Sequence, residues 1–111
     1  MNTRIAALEK LLDSPRDNAL LRYSLGNEWL HAGDPEKAAE CLRGALAQDP
    51  KYSAAWKLLG KALAAAGRPG EAIEAYGQGI LIAEGKGDVQ AAKEMRAFAR
   101  RLKKTLGEAT D

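Results

Sequence analysis

Apolar residues recur along this chain every three or four positions, the interval that places them on one face of an α-helix. Ile5, Leu8, Leu11 and Leu12 are spaced this way between Arg4, Glu9, Lys10 and Asp13, which predicts an amphipathic helix over residues 2–13. Ser14-Pro15-Arg16-Asp17 ends it, because proline cannot extend the hydrogen-bond ladder. Asp17 or Asn18 then caps a second helix that runs to Ala32, with Leu21, Leu25 and Trp29 on one face and Tyr23 and Leu30 on the next. Gly33 stops it by taking the left-handed conformation at low cost. Asp34-Pro35-Glu36 starts a third helix at once, with an N-cap, a proline at the first helical position and a carboxylate near the positive end of the dipole. Ala38, Leu42, Ala45 and Leu46 are its inward positions, and Asp49-Pro50 closes it.

The same grammar then returns. Residues 52–66 predict a fourth helix, Gly67-Arg68-Pro69 a tight turn, and Pro69 to Glu84 a fifth helix with Ala72, Ile73, Tyr76, Gly79 and Ile80 inward. Leu25 recurs as Leu59, Gly26 as Gly60, Gly33 as Gly67, Pro35 as Pro69, Ala38 as Ala72 and Glu40 as Glu74, a constant offset of 34 residues. A repeat of that period reads as stacked helix pairs, and helices joined by two or three residues must pack antiparallel. Glu84-Gly85-Lys86-Gly87-Asp88 stands where a third proline boundary would fall and predicts a looser hinge. Asp88 caps a last helix to Leu106, striped by Val89, Ala92, Met95, Phe98, Ala99, Leu102 and Leu106, and residues 107–111 read as a frayed tail. The expectation is one all-α domain over residues 1–111. It comprises a helix at 2–13, repeats at 18–50 and 52–84, and a capping helix at 88–106.

Gly26 and Gly60 lie inside helices, where glycine costs about 1 kcal/mol relative to alanine. A cost incurred at the same position of both repeats predicts a close helix–helix approach, expected at Ala38/Ala45 and Ala72/Gly79. Trp29 and Trp56 read as large knobs filling the space between successive helices.

Composition narrows the chemistry. Cys41 is the single cysteine and His31 the single histidine, so neither an internal disulfide nor a multi-cysteine or two-histidine metal site can form. Cys41 reads as a buried structural thiol, since nothing orients His31 against it. Gly60-Lys61 lacks the earlier glycine and following hydroxyl of a phosphate loop. No enzyme activity and no cofactor are expected. No apolar run is long enough for a signal peptide or a membrane span, which predicts a cytoplasmic protein with no membrane partner. The net charge is only +2, but Lys93, Arg96, Arg100, Arg101, Lys103 and Lys104 cluster against Glu94 alone.

These residues resemble the tetratricopeptide repeat. Trp56-x2-Leu59-Gly60 copies the opening of its pattern and Ala72-x3-Tyr76 the small-x3-aromatic of its second helix. The first unit has Leu25-Gly26-x2-Trp29, then Ala38-x3-Leu42, and closes with Pro50. Arg22 in place of the opening aromatic, Leu63 in place of a later aromatic and Glu84 in place of a closing proline depart from it. The resemblance implies antiparallel helix pairs stacked in a right-handed superhelix, with the flanking helices covering the ends of the two repeats. It also implies a concave groove lined by the first helix of each pair, the family's usual peptide site. By position, Leu20, Tyr23, Asn27, Leu30 and His31 would face it, then Ala54, Lys57, Lys61, Ala64 and Ala65. With two residues inserted at the glycine hinge, Ala92 aligns under Trp56 and Met95 under Leu59, and Lys93, Arg100 and Arg101 join the groove. That groove is apolar and aromatic at one end and basic at the other, suited to a segment with a hydrophobic anchor and carboxylates. Some family members clamp acidic chaperone tails. Asn27 matches that clamp, whereas Tyr23 takes the place of its first lysine.

The reading is therefore a non-catalytic protein–protein interaction module that binds a protein or peptide. Two alternatives stand beside it. The basic last helix could bind RNA or DNA, although aromatic interleaving is nearly absent there; and Ile5, Leu8 or Phe98 could join two copies into a homodimer. Charge reversal at Lys57 and Lys61 together is expected to abolish partner binding while leaving helicity and melting unchanged.

Overall fold

Local chemistry sets most of the helix starts. Asn18 Oδ1 accepts the Leu21 N–H at 2.8 Å, Asp34 Oδ1 that of Lys37 at 3.1 Å, and Asp88 Oδ1 that of Ala91 at 3.1 Å. Each such cap satisfies an amide that the helix itself leaves unpaired, worth about 1 kcal/mol. In the computed structural model, which describes residues 2–110 and their side chains through residue 107, they open α2 (Ala19–His31), α3 (Pro35–Gln48) and α6 (Val89–Thr110). α1 (Thr3–Glu9) is capped by Asn2, while α4 (Ser53–Ala65) and α5 (Pro69–Gly85) start at Tyr52 and Arg68 without a side-chain cap. No strand occurs among the described residues.

Three helix ends share one geometry. Gly33, Gly67 and Gly87 take φ of +85°, +78° and +74°. The amide after each reaches back to a carbonyl five residues earlier: Asp34 to Trp29 at 2.9 Å, Arg68 to Leu63 at 2.9 Å and Asp88 to Ala83 at 2.8 Å. This is a Schellman stop, and it needs the left-handed residue that glycine supplies. The Gly85–Gly87 hinge, expected to be looser, is thus built like the two joints before it. Lys86 Nζ also donates to the Lys51 carbonyl in the connection between α3 and α4.

Two helix bounds differ from expectation. The first helix ends at Glu9 rather than residue 13, because the backbone tightens there into three-residue turns, Leu11 to Leu8 at 3.0 Å and Leu12 to Glu9 at 3.2 Å. Asp13 follows with φ +60°, its N–H held by Asp17 Oδ2 at 3.0 Å. Asp17 is therefore not the cap of α2. Its two oxygens also grip Arg22, from Nε at 2.9 Å and Nη2 at 2.8 Å. The last helix continues through Thr110, where a frayed tail was expected past Leu106. Gly107 weakens a helix by about 1 kcal/mol but cannot end it without a left-handed turn. Asp111 lies outside the described residues.

α2 packs antiparallel on α3, α4 on α5, and α6 stacks against α5. α2 approaches α4 and α4 approaches α6, whereas the backbones of α3 and α5 stand further apart and are bridged by the Arg43–Glu71 ion pair at 3.4 Å. The array therefore curves, with α2, α4 and α6 on its inner side. Leu25, Leu42, Leu59, Leu63 and Met95 are fully buried, and no charged side chain among the described residues is buried. Val89, expected in the apolar stripe of α6, is 68% exposed.

The interior glycines explain the spacing. A Cβ on Gly26 would stand 2.7 Å from Leu42 Cγ, and one on Gly60 only 2.5 Å from the Tyr76 ring. Leu42 and Tyr76 are the same repeat position, lying between the residues expected to make this approach, and the expected Ala38 also contributes, its carbonyl 3.3 Å from where the Gly26 Cβ would stand. A Cβ on Gly79 would stand 2.8 Å from Trp56 Cβ, the close approach of α4 expected there, and 2.5 Å from Met95 Sδ, where α6 comes in against α5.

Gly60→Ala is expected to lower stability, the overpacking cost of about 1–3 kcal/mol exceeding the roughly 1 kcal/mol gain in helix propensity. Gly77→Ala, in open space on the same array, should raise stability by about 0.5–1 kcal/mol. Urea midpoints at unchanged m-value test both. The Arg22 guanidinium, then the Asp13 amide, hold the Asp17 carboxyl well below the usual carboxylate range. A depressed carboxyl stabilises fully above its unfolded pKa and loses that contribution as pH falls through the folded value. Asp17→Asn should therefore lower the melting temperature at pH 7, and the deficit should shrink below about pH 4. A deficit of constant size across that range would rule out the charge as its source.

Candidate functional site

Helical repeat arithmetic carries side chains onto the inner face in columns. Tyr23 and Lys57 occupy equivalent places 34 residues apart, as do Asn27 and Lys61, and α6 begins 36 residues after α4. The inner side of α2, α4 and α6 holds a cleft of about 260 Å³ lined by Tyr23, Ala54, Lys57, Leu58, Lys61 and Phe98. Of the residues expected in the groove, Tyr23, Lys57, Lys61 and Ala54 thus come together in one hollow.

Its walls are aromatic. Tyr23 stacks on Tyr52 with ring centroids 5.1 Å apart and an interplanar angle of 26°. Burial, with Tyr23 beside it, pushes the Tyr52 phenol above its ordinary pKa, so it stays a neutral surface. Phe98 packs on Tyr76 at 5.7 Å, and the Arg101 guanidinium lies over the Phe98 ring at 6.0 Å. Burial likewise raises the Tyr76 hydroxyl to about 12.

The charge differs from expectation. Lys57 Nζ lies 2.5 Å from Glu94 Oε1, and Gln90 Nε2 donates to the other Glu94 oxygen at 3.4 Å. The Lys57 ammonium, with Gln90, holds the Glu94 carboxyl below its ordinary range. Lys57 is accordingly neutralised from within the chain. Lys61 is exposed and has no ion pair among the described residues. The end expected to be purely basic carries Phe98 and Glu94 as well.

The remaining expected residues sit around this hollow. Asn27 is half-buried, and exposed His31 turns its Nδ1 to the Asn27 carbonyl at 3.0 Å. Leu30 is half-buried and packs on the core, while Leu20 is 62% exposed. Lys93 and Arg100 are exposed on α6 and do not line the cleft; Arg101 reaches it only by way of Phe98. Sequence reasoning missed Leu58, Tyr52, Phe98 and Glu94. For Glu94 the signal was present, since it is the lone carboxylate within a basic run and adjoins Lys93, the equivalent of Lys57.

Both tryptophans are half-buried rather than enclosed. Trp56 Nε1 donates to the Pro50 carbonyl at 2.8 Å, and its ring lines an outer cleft of about 390 Å³ between α3 and α5. Trp29 has Lys37 Nζ 4.4 Å from its ring centroid and shares a hollow with Asn2, Ile5, Ala6 and Glu9 at the α1 end of the array. Cys41 is half-buried, and burial raises its thiol pKa, which keeps it a poor nucleophile. Among the described residues, no three His, Cys, Asp or Glu side chains come together to hold a metal ion, and no helix is long and apolar enough to cross a membrane.

The model of the tetratricopeptide repeat matches residues 5–53 and 23–89. The chain is 55% identical over 98 residues to TPR repeat-containing protein PA0015 of Pseudomonas aeruginosa, covering 88% of this chain and 93% of that protein. Its fold is similar to the solution structure of protein BPP2914 from Bordetella parapertussis, with a TM-score of 0.81 and 39% identity over 95% of this chain and 91% of that one. The Sgt2 TPR domain from Aspergillus fumigatus is similar too, with a TM-score of 0.80 and 32% identity over 96% of this chain and 68% of that one. The architecture expected of the sequence, antiparallel helix pairs stacked in an all-α superhelix, is the one these neighbours share. With these matches, the chain belongs to the tetratricopeptide repeat family, whose fold serves generally as a protein–protein interaction module.

Proposed function

We propose that this protein is a non-catalytic adaptor that holds a segment of a partner protein in the cleft between α2, α4 and α6. The segment lays an apolar or aromatic side chain against Tyr23, Leu58 and Phe98 and presents a carboxylate to Lys61. The observation that carries this reading is the placing of an aromatic wall and an unpaired ammonium in one preformed hollow. A preformed groove loses little entropy on binding, so a few anchors give useful affinity.

The two rival readings find less support. Of the basic residues on α6, Arg96 is bound to Glu84 and Arg101 lies over Phe98, which leaves a thinner stripe for phosphates. Self-association through Ile5, Leu8 or Phe98 lacks a shared exposed patch, because Leu8 is half-buried and Phe98 lies within the cleft itself. Ile5 is only 4% exposed, and Phe98 is half-buried against Tyr76.

The test uses a partner peptide recovered by affinity capture and mapped by mass spectrometry. Lys61→Glu and Phe98→Ala should each weaken its binding roughly tenfold or more, as losing a charged hydrogen bond or a buried aromatic anchor does. Helicity should be unchanged in both, and Arg100→Glu should leave affinity within about twofold, as expected for a rim charge. Lys61 replaces the Lys57/Lys61 pair as the clean probe, because a carboxylate at position 57 would repel Glu94 and disturb the fold. Undiminished binding by Lys61→Glu would remove the cleft from consideration.

A further inference from the structure

An ion pair inside the proposed groove has a consequence for which partners can use it. Glu94 projects from α6 to Lys57 on α4, its Oε1 2.5 Å from Nζ, with both side chains about two-fifths exposed. The pair borders the cleft on one side and, on the other, a hollow of about 290 Å³ lined by Ser53, Ala54, Asp88 and Gln90. A carboxylate from a partner that approached Lys57 would meet one already seated there. α6 is continuous helix at this point, so Glu94 can leave only by rotating its side chain. Gln90, one turn earlier, is placed to keep hold of its second oxygen.

We propose that Glu94 is an internal competitor for the partner's carboxylates, occupying the Lys57 end of the groove in the free protein. This inference rests on the groove reading above. Lys61 is then the open position, and a segment with one carboxylate binds there without disturbing the pair. A segment with several acidic residues must displace Glu94 to reach Lys57, so the groove discriminates against strongly acidic segments more than its two lysines suggest. The Glu94 carboxyl is held ionised by Lys57, so the competitor is charged across the neutral range. The bland alternative is a strut that merely braces α6 on α4. The two differ in sign: loss of a strut weakens binding, whereas loss of a competitor strengthens it.

The experiment compares the full chain with Glu94→Gln. The probe is a fluorescein-labelled peptide with one tryptophan, a run of glutamates and a free C-terminal carboxylate; the control has glutamines and an amidated end. Glu94→Gln should bind the acidic peptide about fivefold more tightly, the most that an exposed ion pair usually contributes. Affinity for the control should not change, and the gain should vanish when Lys57 is also replaced by Met, a double-mutant cycle that isolates the pair. A readout independent of any peptide is acetylation by acetic anhydride, followed by mass spectrometry. Lys57 should react more slowly than Lys61 in the native chain, and faster in Glu94→Gln than in the native chain. Equal rates in the native chain would overturn the proposal. If the acidic peptide binds both proteins equally, or the variant more weakly, the groove stands and the role of Glu94 falls. If neither peptide binds either protein, the groove reading fails and takes this role with it.

Discussion

The close approach of paired helices at two glycines sets the dimensions of everything else in this molecule. Leu42 and the Tyr76 ring lie so near Gly26 and Gly60 that even a methyl group would meet them inside van der Waals contact. Close-packed interiors do not yield to such intrusions. α2 and α3, and likewise α4 and α5, therefore lock as pairs, and the pairs stack with their first helices in contact and their second helices apart. That asymmetry is the curvature. It makes an inner face where Tyr23, Lys57 and Phe98 converge, and an outer gap over Trp56.

The same slot shows how the array is bounded on α6. Counting 36 residues from Gly60 brings Arg96 to the place that glycine holds in the two repeats. Its guanidinium turns back to Glu84 on α5 and stays exposed. A helix that carries arginine there cannot accept a further helix at the distance α4 accepts α5. Capping and groove formation thus come from one helix: α6 presents Met95 to the core beside Gly79, Phe98 and Glu94 to the inner face, and a charged face to solvent.

Electrostatics within the groove is governed by pairing more than by count. The run from Lys93 to Lys104 looks strongly basic, yet its single carboxylate reaches the lysine expected to be most available. Exposed ion pairs stabilise a fold little. Their influence on recognition is greater, because an occupied cation presents no free charge to a partner.

The sequence by itself determined the helices, their joints and the repeat, since these depend on short-range properties. Glycine's access to positive φ, proline's missing amide and the three-to-four spacing of leucines act within one or two turns, which is why Gly33, Gly67 and Asp34 could be read directly. Gly26 and Gly60 announced a close approach, though not the side chains that come nearest. Tertiary structure decided the rest. Trp56 is half-buried because α3 and α5 splay apart over it. Lys57 finds Glu94, 37 positions away, only once α6 is laid beside α4 at a definite rotation and height. Spacing along a chain names the face of a helix on which a side chain stands. Which partner it meets there is set by distances between helices, and those come from packing.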